Sequence, residues 1–309
     1  MKIVVAGGAG FIGGHIAEYW NEQDADVHVI DSLRTGNIKN IDGLENVTFH
    51  KGSITNRELV FEVLKDADYI YNLAALVSVP ESIEKPFECI DINVNGMLNL
   101  LDAAKENRAK KVVLSSSAAV YGDDPELPKQ ISMTPHPKTP YSITKLDGEY
   151  YNKMYFEQYG LETISLRYFN VYGPRQNPKS QYAAAVPIFV DKATENDDIT
   201  IYGDGEQTRD FIYVKDVVKA NVIASQSEGI TGVFNVANGS SITIKALCEK
   251  IIELVDSKSK INFADERAGD IKHSLASIDE TKDQLGFNPE FSLDEGLKNT
   301  IKYFQKLKA

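Results

Sequence analysis

Tyr141 and Lys145 stand four positions apart in Tyr141-Ser142-Ile143-Thr144-Lys145. On a helix that spacing puts both side chains on one face. An ammonium beside a phenol favours the phenolate. The pair therefore predicts a phenol pKa below the usual ~10 and a proton acceptor that works near neutral pH. Ser117, in Ser115-Ser116-Ser117-Ala118-Ala119-Val120-Tyr121-Gly122, offers a hydroxyl for the same substrate oxygen. Near the N-terminus lies Gly7-Gly8-Ala9-Gly10-Phe11-Ile12-Gly13, a glycine turn of the kind that cradles a dinucleotide. Beside a nicotinamide, the serine, tyrosine and lysine would take a proton from an alcohol while hydride leaves its carbon.

These groups need a scaffold that brings distant segments to one edge. Gly7, Gly10 and Gly13 follow an apolar run and open a helical pattern. Glycine there lets the chain turn tightly, lets backbone approach a pyrophosphate and lets helix and sheet pack closely, while the helix N-terminus presents free N–H groups. Asp31 ends the next apolar run, roughly 20 residues further on, where a carboxylate accepts from ribose hydroxyls and repels a 2′-phosphate. NAD is thus favoured over NADP, and Arg34 close by weakens that preference slightly. Short apolar runs predict strands over residues 3–6, 27–30, 47–50, 69–73, 112–115 and 163–167. Amphipathic stretches predict helices over 11–21, 57–65, 88–107 and 141–159. This alternation is the pattern of a parallel sheet with crossover helices.

After Arg167 the rhythm changes. Gly173-Pro174-Arg175-Gln176-Asn177-Pro178 reads as a loop, and helices are expected over 183–194, 215–225, 244–255 and 293–307. The expected fold is α/β: a Rossmann-type doubly wound parallel sheet with a smaller α/β C-terminal lobe. No repeat, low-complexity tract or flexible linker separates the halves, so one body with a cleft is expected.

Composition narrows the function classes. The chain has 309 residues, 42% hydrophobic and 25% charged, enough for two domains or one large one with a lobe. A net charge of −12 argues against non-specific nucleic-acid binding but allows an anionic small ligand, since local arginines and helix N-termini set the field there. Cys89 and Cys248 are too few for a disulfide framework and read as small buried apolar residues. His15, His28, His50, His136 and His273 have no metal-ligand spacing, so no metal is expected. The chain enters its first strand at once, with no leader and no membrane-spanning run, which makes the cytoplasm the expected location.

These residues, with Asn72-Leu73-Ala74-Ala75, Asn93-Val94-Asn95-Gly96 and Arg167-Tyr168-Phe169-Asn170-Val171-Tyr172-Gly173-Pro174-Arg175, resemble the extended short-chain dehydrogenase/reductase family over nearly the whole chain. Within it the chain is similar to the NAD-dependent nucleotide-sugar 4-epimerases, of the UDP-glucose and UDP-N-acetylglucosamine type. The resemblance implies an NAD-binding domain over residues 1–170. It implies a mainly UDP-sugar-binding domain over 171–309, with some segments returning to the sheet. NAD would be held by Gly7, Gly10, Phe11, Ile12, Gly13 and Asp31, with Leu73, Ala74 and Ala75 along the adenine and ribose. Ser53 and Ile54 would add to that pocket, although many relatives carry an acid where Ser53 stands, which weakens its hold on the adenine amine. Asn93 would support the central helix, and Ser115 and Tyr168 would join Tyr141 and Lys145 at the cofactor. Outside the resemblance, Asn93 and Ser53 read as capping or turn residues.

Ala118 and Ala119 bear on the reaction. The similar dehydratases place an acid pair here, and the decarboxylases a glutamate at the second position. Two methyl groups do no acid–base work, so the resemblance points to 4-epimerisation through a transient 4-keto sugar, with Ser117, Tyr141 and Lys145 catalytic. The alternatives are another UDP-sugar-modifying enzyme of this fold (reductase, decarboxylase or dehydratase) and a non-catalytic NAD or nucleotide-sugar binder.

For the substrate, the resemblance implies that Arg209 and Arg267 grip the diphosphate, with Asn170 on one of its oxygens and Asp270 on the uridine ribose or Arg267. Phe189 and Tyr202 would wall the uracil. Ser78, Ala184 and Ala185 would leave the pocket roomy. Ser274 stands where relatives restricted to glucose and galactose often place a tyrosine. It therefore leaves space for an N-acetyl group, unless it is simply a small packing residue. The expected substrates are UDP-GlcNAc and UDP-GalNAc, with UDP-Glc and UDP-Gal. A homodimer is implied, built from helices 88–107 and 141–159 of each subunit.

Overall fold

Ile3, Val4, Val5 and Ala6 lose all solvent contact in β1 (Lys2–Ala6), because helices cover both faces of the sheet inside which it lies. The computed structural model describes residues 1–178, 184–266 and 271–308. After β1 come α1 (Phe11–Glu22), β2 (Asp26–Asp31), β3 (Val47–Lys51), α2 (Arg57–Val63) and β4 (Tyr69–Asn72). Then follow α3 (Val79–Glu84), α4 (Pro86–Ile90), α5 (Gly96–Glu106), β5 (Lys111–Ser117), α6 (Pro140–Tyr159) and β6 (Thr163–Tyr168). The rest comprises β7 (Asn170–Tyr172), α7 (Ala185–Glu195), β8 (Ile199–Tyr202), β9 (Thr208–Arg209), β10 (Phe211–Tyr213), α8 (Val214–Gln226), β11 (Gly232–Val236), β12 (Ile242–Thr243), α9 (Ile244–Val255), β13 (Ile261–Ala264), α10 (Asp279–Leu285) and α11 (Leu293–Lys308).

Seven strands pair in the order β3-β2-β1-β4-β5-β6-β11, all parallel. The order reverses between β1 and β4, which opens a crevice at the C-terminal ends of those strands. Ile16, Ala17 and Trp20 of α1 and Val217 and Ala220 of α8 cover one face. Val60 of α2, Leu100 and Leu101 of α5 and Tyr155 of α6 cover the other. A separate core of α7, α9, α11, β8 and β10 carries Val186, Ile201, Leu247 and Phe304. Phe11 and Ile12, at the start of α1, pack against that second core and so couple the glycine turn to it. Among the described residues no helix is long and apolar enough to cross a membrane.

The six expected strands of the first half are all present. The helix expected over 88–107 is instead three pieces: α4, a π turn over Asp91–Asn95, and α5. The reason is Asn93, which accepts from Leu76 N at 2.7 Å and donates to Thr144 Oγ1 at 2.9 Å. One wider turn brings its amide to both partners. The helix expected from residue 183 begins at Ala185, and position 183 lies outside the described residues. The two-residue strands β9 and β12 are too short to show any periodicity.

Asn235 pins the edge strand β11. Its Oδ1 accepts from the Tyr121 hydroxyl at 2.7 Å, and its Nδ2 donates to the carbonyls of Lys129 at 2.9 Å and Ser277 at 3.1 Å. Asn235→Ala would strand several buried polar groups and should destabilise the fold by about 2–4 kcal/mol, read as a lower urea midpoint.

Candidate active site

The glycine turn closes on β4 with no room for side chains. Gly7 has φ +78°, and a Cβ there would lie 2.7 Å from Ala74 N. A Cβ on Gly13 would lie 2.3 Å from the Gly7 carbonyl oxygen. Gly10 caps α1 without a side-chain hydrogen bond, so the first N–H groups of the helix remain available to an anion. Asp31 is 8% exposed and accepts from Ala9 N at 3.0 Å and Leu33 N at 2.7 Å. Burial pushes its carboxyl pKa up against those two bonds. A carboxylate has about four lone-pair sites, so two stay open for ribose hydroxyls. Backbone-tight turn, bare helix N-terminus and strand-end carboxylate together fit a dinucleotide.

Arg34 differs from expectation. Its guanidinium is held by Glu81 at 2.8 Å and Glu88 at 2.5 Å, on α3 and α4. The cluster links the segment after β2 to the helices after β4, the strands on either side of β1. Arg34 is therefore committed to carboxylates rather than turned to a 2′-phosphate, which strengthens the preference for NAD.

Thr139 and Ser142 form a reciprocal capping box that starts α6, with Pro140 in its first turn. This fixes Tyr141 in the first turn, where its N–H also donates to Ser82 Oγ at 3.2 Å. The Tyr141 phenol meets the Ser117 hydroxyl. Ser117 Oγ in turn accepts from Ala119 N at 3.1 Å, as the cap of a short 3-10 turn over Ala118–Tyr121. Lys145 Nζ lies 5.8 Å from the Tyr141 ring centre and donates to the Ser115 carbonyl at 2.5 Å.

The electrostatics correct one expectation. Desolvation pushes the Tyr141 pKa up, the Ser117 hydrogen bond opposes it, and no lowering by Lys145 is resolved. Lys145 is itself buried and its ammonium is pulled down to about 8. Spacing along a helix shows that two side chains share a face, but not how much water the fold removes from each.

Other expected residues are scattered over several jobs. The Tyr168 hydroxyl donates to Asn221 Oδ1 at 2.8 Å and meets the Ser115 side chain, so its polar end is engaged in the core rather than at a ligand. Ser53 Oγ accepts from Thr55 N at 3.2 Å, and Ser78 Oγ caps α3 at Glu81 N, 3.2 Å away. Both act as turn or cap residues. Ile54 is buried, and a Cβ on Gly96 would lie 2.5 Å from it. Leu73 and Ala74 lie against Gly7, and Ala75 follows them in the same loop. Asn170 opens β7, its N–H donating to the Asp210 carbonyl at 3.1 Å. Ala184 caps α7 and Ala185 begins it. Phe189, 4% exposed, lies inside the second core.

Tyr202 ends β8 and is 40% exposed. The next residue, Gly203, lines a cavity of about 230 Å³ with Asp204, Gln207, Glu266, Ile271 and Lys272. Arg209 Nη1 donates to the carbonyls of Thr208 at 2.8 Å and Lys272 at 3.5 Å. Ser274 N donates to the Thr208 carbonyl at 3.1 Å, which places Ser274 alongside the Arg209 segment. Arg267 and Asp270 lie outside the described residues.

Asp210 was not anticipated. It is fully buried and accepts from Asn238 N at 2.8 Å, Gly239 N at 3.1 Å and Ala276 N at 3.3 Å, tying the Arg209 and Ser274 segments together. A lone acid before the apolar run Phe211-Ile212-Tyr213 was the available signal. Burial pushes its carboxyl up to about 6.

A proton-handling cluster set beside a dinucleotide cradle, at the carboxyl edge of a doubly wound sheet, defines a nicotinamide-dependent enzyme that acts on an alcohol carbon. The chain belongs to the NAD-dependent epimerase/dehydratase family, whose profile matches residues 3–237, and NAD is its cofactor. It is similar to the UDP-N-acetylglucosamine 4-epimerase of Methanobrevibacter ruminantium, solved with UDP-N-acetylmuramic acid, at 42% identity and a TM-score of 0.95, covering 99% of this chain and 98% of that one. The UDP-glucose 4-epimerase of Thermotoga maritima, solved with UDP-glucose, superposes with a TM-score of 0.96 at 36% identity over the full length of both. A UDP-N-acetyl-alpha-D-glucosaminuronate decarboxylase of Bacillus cytotoxicus is 33% identical over 322 residues, 99% of this chain and 98% of its own. The solved relatives are thus UDP-sugar 4-epimerases of the extended short-chain dehydrogenase/reductase type, and the wider family includes decarboxylases.

Gly13→Ala should weaken NAD binding by about 1–3 kcal/mol, the cost of overpacking a tight contact, read by titrating NAD into stripped protein. The Asp210 carboxyl has a higher pKa folded than unfolded, so its contribution to stability is full below about pH 4 and is lost as pH rises through about 6. The difference in urea midpoint between wild type and Asp210→Asn should therefore change between those limits and level off above them.

Proposed function

We propose that this protein is an NAD-dependent UDP-hexose 4-epimerase, interconverting UDP-GlcNAc with UDP-GalNAc and also UDP-Glc with UDP-Gal. The observation that carries the reading is the Ser117–Tyr141 contact with Lys145 beside it, followed by Ala118 and Ala119. The site has a proton acceptor but no acid at the two positions after Ser117. This favours chemistry that only removes and returns one proton, over dehydration or decarboxylation.

NAD, when bound, supplies the acceptor and donor of hydride at the sugar carbon. Gly7, Gly10, Gly13 and Asp31 hold it. Ser117 fixes the carbon-4 oxygen through its hydroxyl. Tyr141 takes the proton from that oxygen as the alcohol is oxidised, and returns it after the 4-keto sugar has presented its other face. Lys145, held on the Ser115 carbonyl, keeps its amine beside Tyr141 during that exchange. No net oxidation occurs, so the cofactor would be regenerated in each turnover and would need no exchange with solution.

Arg209, beside the cavity at Gly203, suits the diphosphate, with Tyr202 at the uracil. Arg267 and Asp270 would join them. Ser274, small and next to Thr208, supports a pocket open to an N-acetyl group. The Methanobrevibacter relative, solved with an N-acetylated sugar nucleotide, supports the same substrate class. Residues 171–309 would supply most of the sugar-nucleotide contacts. We also infer a homodimer: Phe87 and Ile90 of α4 and Ile143 and Tyr150 of α6 leave large apolar side chains exposed on helices that touch.

Purified protein assayed with UDP-GlcNAc and UDP-Glc, without added NAD, should form the 4-epimer of both. Formation from UDP-Glc alone would overturn the reading of Ser274, and no epimer from either would overturn the proposed reaction on these substrates. Tyr141→Phe should lower kcat by about 10²–10⁴-fold while NAD extracted per subunit is unchanged.

A further inference from the structure

Three consecutive residues of β5 meet three successive turns of α6. Ser117 meets Tyr141 through their hydroxyls, Ser115 receives Lys145 on its carbonyl, and the Ser116 hydroxyl donates to Glu149 Oε1 at 2.5 Å. Tyr141, Lys145 and Glu149 are spaced four residues apart, so one face of α6 carries all three. Two of these contacts belong to the proposed reaction. The third does not touch it.

Glu149 is 4% exposed and receives a two-pronged grip from Arg167 on β6: Nε to Oε1 at 2.8 Å and Nη2 to Oε2 at 2.7 Å. The guanidinium lies 4.7 Å from the Tyr121 ring centre, and the Tyr121 hydroxyl runs on to Asn235. Burying an ion pair costs much of what the pairing returns, and apolar residues of similar volume often hold a core equally well. What such a pair adds is a unique geometry. Its directional bonds fix where α6 sits along β5 and how it is rotated, and Tyr141 and Lys145 lie on the same face.

We propose that Glu149 is a positioning residue for proton transfer, setting Tyr141 against Ser117 and Lys145 against Ser115 through its bonds to Ser116 and Arg167. This rests on the reading of Tyr141 and Lys145 as the proton-handling pair. The groups facing the Lys145 ammonium are Tyr141 and Glu149 on α6, Cys89 on α4 and the Ser115 carbonyl on β5. Burial disfavours the ammonium, while Glu149 and Cys89 favour it. Without the Glu149 charge, Lys145 would lose its proton at lower pH.

The test uses the NAD holoenzyme in three forms: wild type, Glu149→Gln and Lys111→Met. The last breaks a different ion pair of β5, Lys111 with Glu162 at 2.7 Å, at the far end of the strand. Glu149→Gln should lower kcat roughly ten- to a hundredfold, leave KM within about twofold and move the alkaline fall in kcat to lower pH. Lys111→Met should lower Tm but leave kcat and the pH profile alone. The proposal is overturned if Glu149→Gln keeps wild-type kcat and pH profile, or loses activity only in proportion to its folded fraction. If Glu149→Gln does not fold, Glu149→Gln with Arg167→Met removes both buried charges, and the same changes in kcat and pH profile are required of it. If the wild type epimerises no sugar nucleotide, the reaction proposed above fails on its own. NMR titration of the lysine Cε signals, with Lys145 assigned by Lys145→Met, then decides the positioning role: a lower Lys145 pKa in Glu149→Gln upholds it, and an unchanged one overturns it.

Discussion

A carboxylate and a guanidinium are buried together, Glu149 on α6 and Arg167 on β6, between the helix that carries Tyr141 and Lys145 and the sheet it packs on. Each would be costly alone in the interior, so the pair has one arrangement, and that arrangement seats a helix on a strand. From α6 project Tyr141 and Lys145. From β5 come the Ser115 carbonyl and the Ser117 hydroxyl that meet them. The geometry of the proposed proton-handling residues is therefore a consequence of packing between a helix and a strand rather than of any loop. Loops enter at the proposed sugar-nucleotide end, where Asp210 ties the segments of Arg209 and Ser274 through three backbone N–H groups.

The first half of the chain was largely legible because its inner strands are buried on both faces. Val112-Val113-Leu114 and Ile3-Val4-Val5-Ala6 are uninterrupted apolar runs, which is what a parallel strand between two helix layers requires. The glycine turn was legible for a different reason: Gly7 and Gly13 stand where a Cβ would collide with backbone, so little else fits. β11 was not identified because Asn235 interrupts its apolar run, and the structure shows that asparagine making four buried hydrogen bonds. The π turn at Asp91–Asn95 escaped because one wider turn hardly disturbs an apolar stripe. Arg34 was read as a free charge near a ribose, whereas its partners, Glu81 and Glu88, lie some fifty residues away and only the fold brings them close.

The same limit applies to chemistry. From spacing alone, an ammonium near a phenol lowers the phenol pKa. In the folded chain, removal of water acts on both groups and opposes both charges, pushing Tyr141 up and pulling Lys145 down to about 8. Burial therefore favours the neutral phenol in the folded chain, and only the phenolate form of Tyr141 can take a proton from an alcohol.

Separation of tasks between the layers follows from how each part is made. The cofactor cradle is almost entirely backbone and one carboxylate, so substitution there meets steric walls. The proton-handling trio is held by a buried network that includes Ser116, Glu149, Arg167, Tyr121 and Asn235, so it too tolerates little change. By contrast, Tyr202 ends β8 and Arg209 ends the two-residue β9, with Ser274 on the segment alongside, all outside the seven-stranded sheet. Side chains there can change size without disturbing the sheet. A family built this way can vary its sugar while keeping its cofactor and its proton acceptor. That fits a chain whose relatives superpose over their whole length and yet differ in the sugar nucleotide they hold.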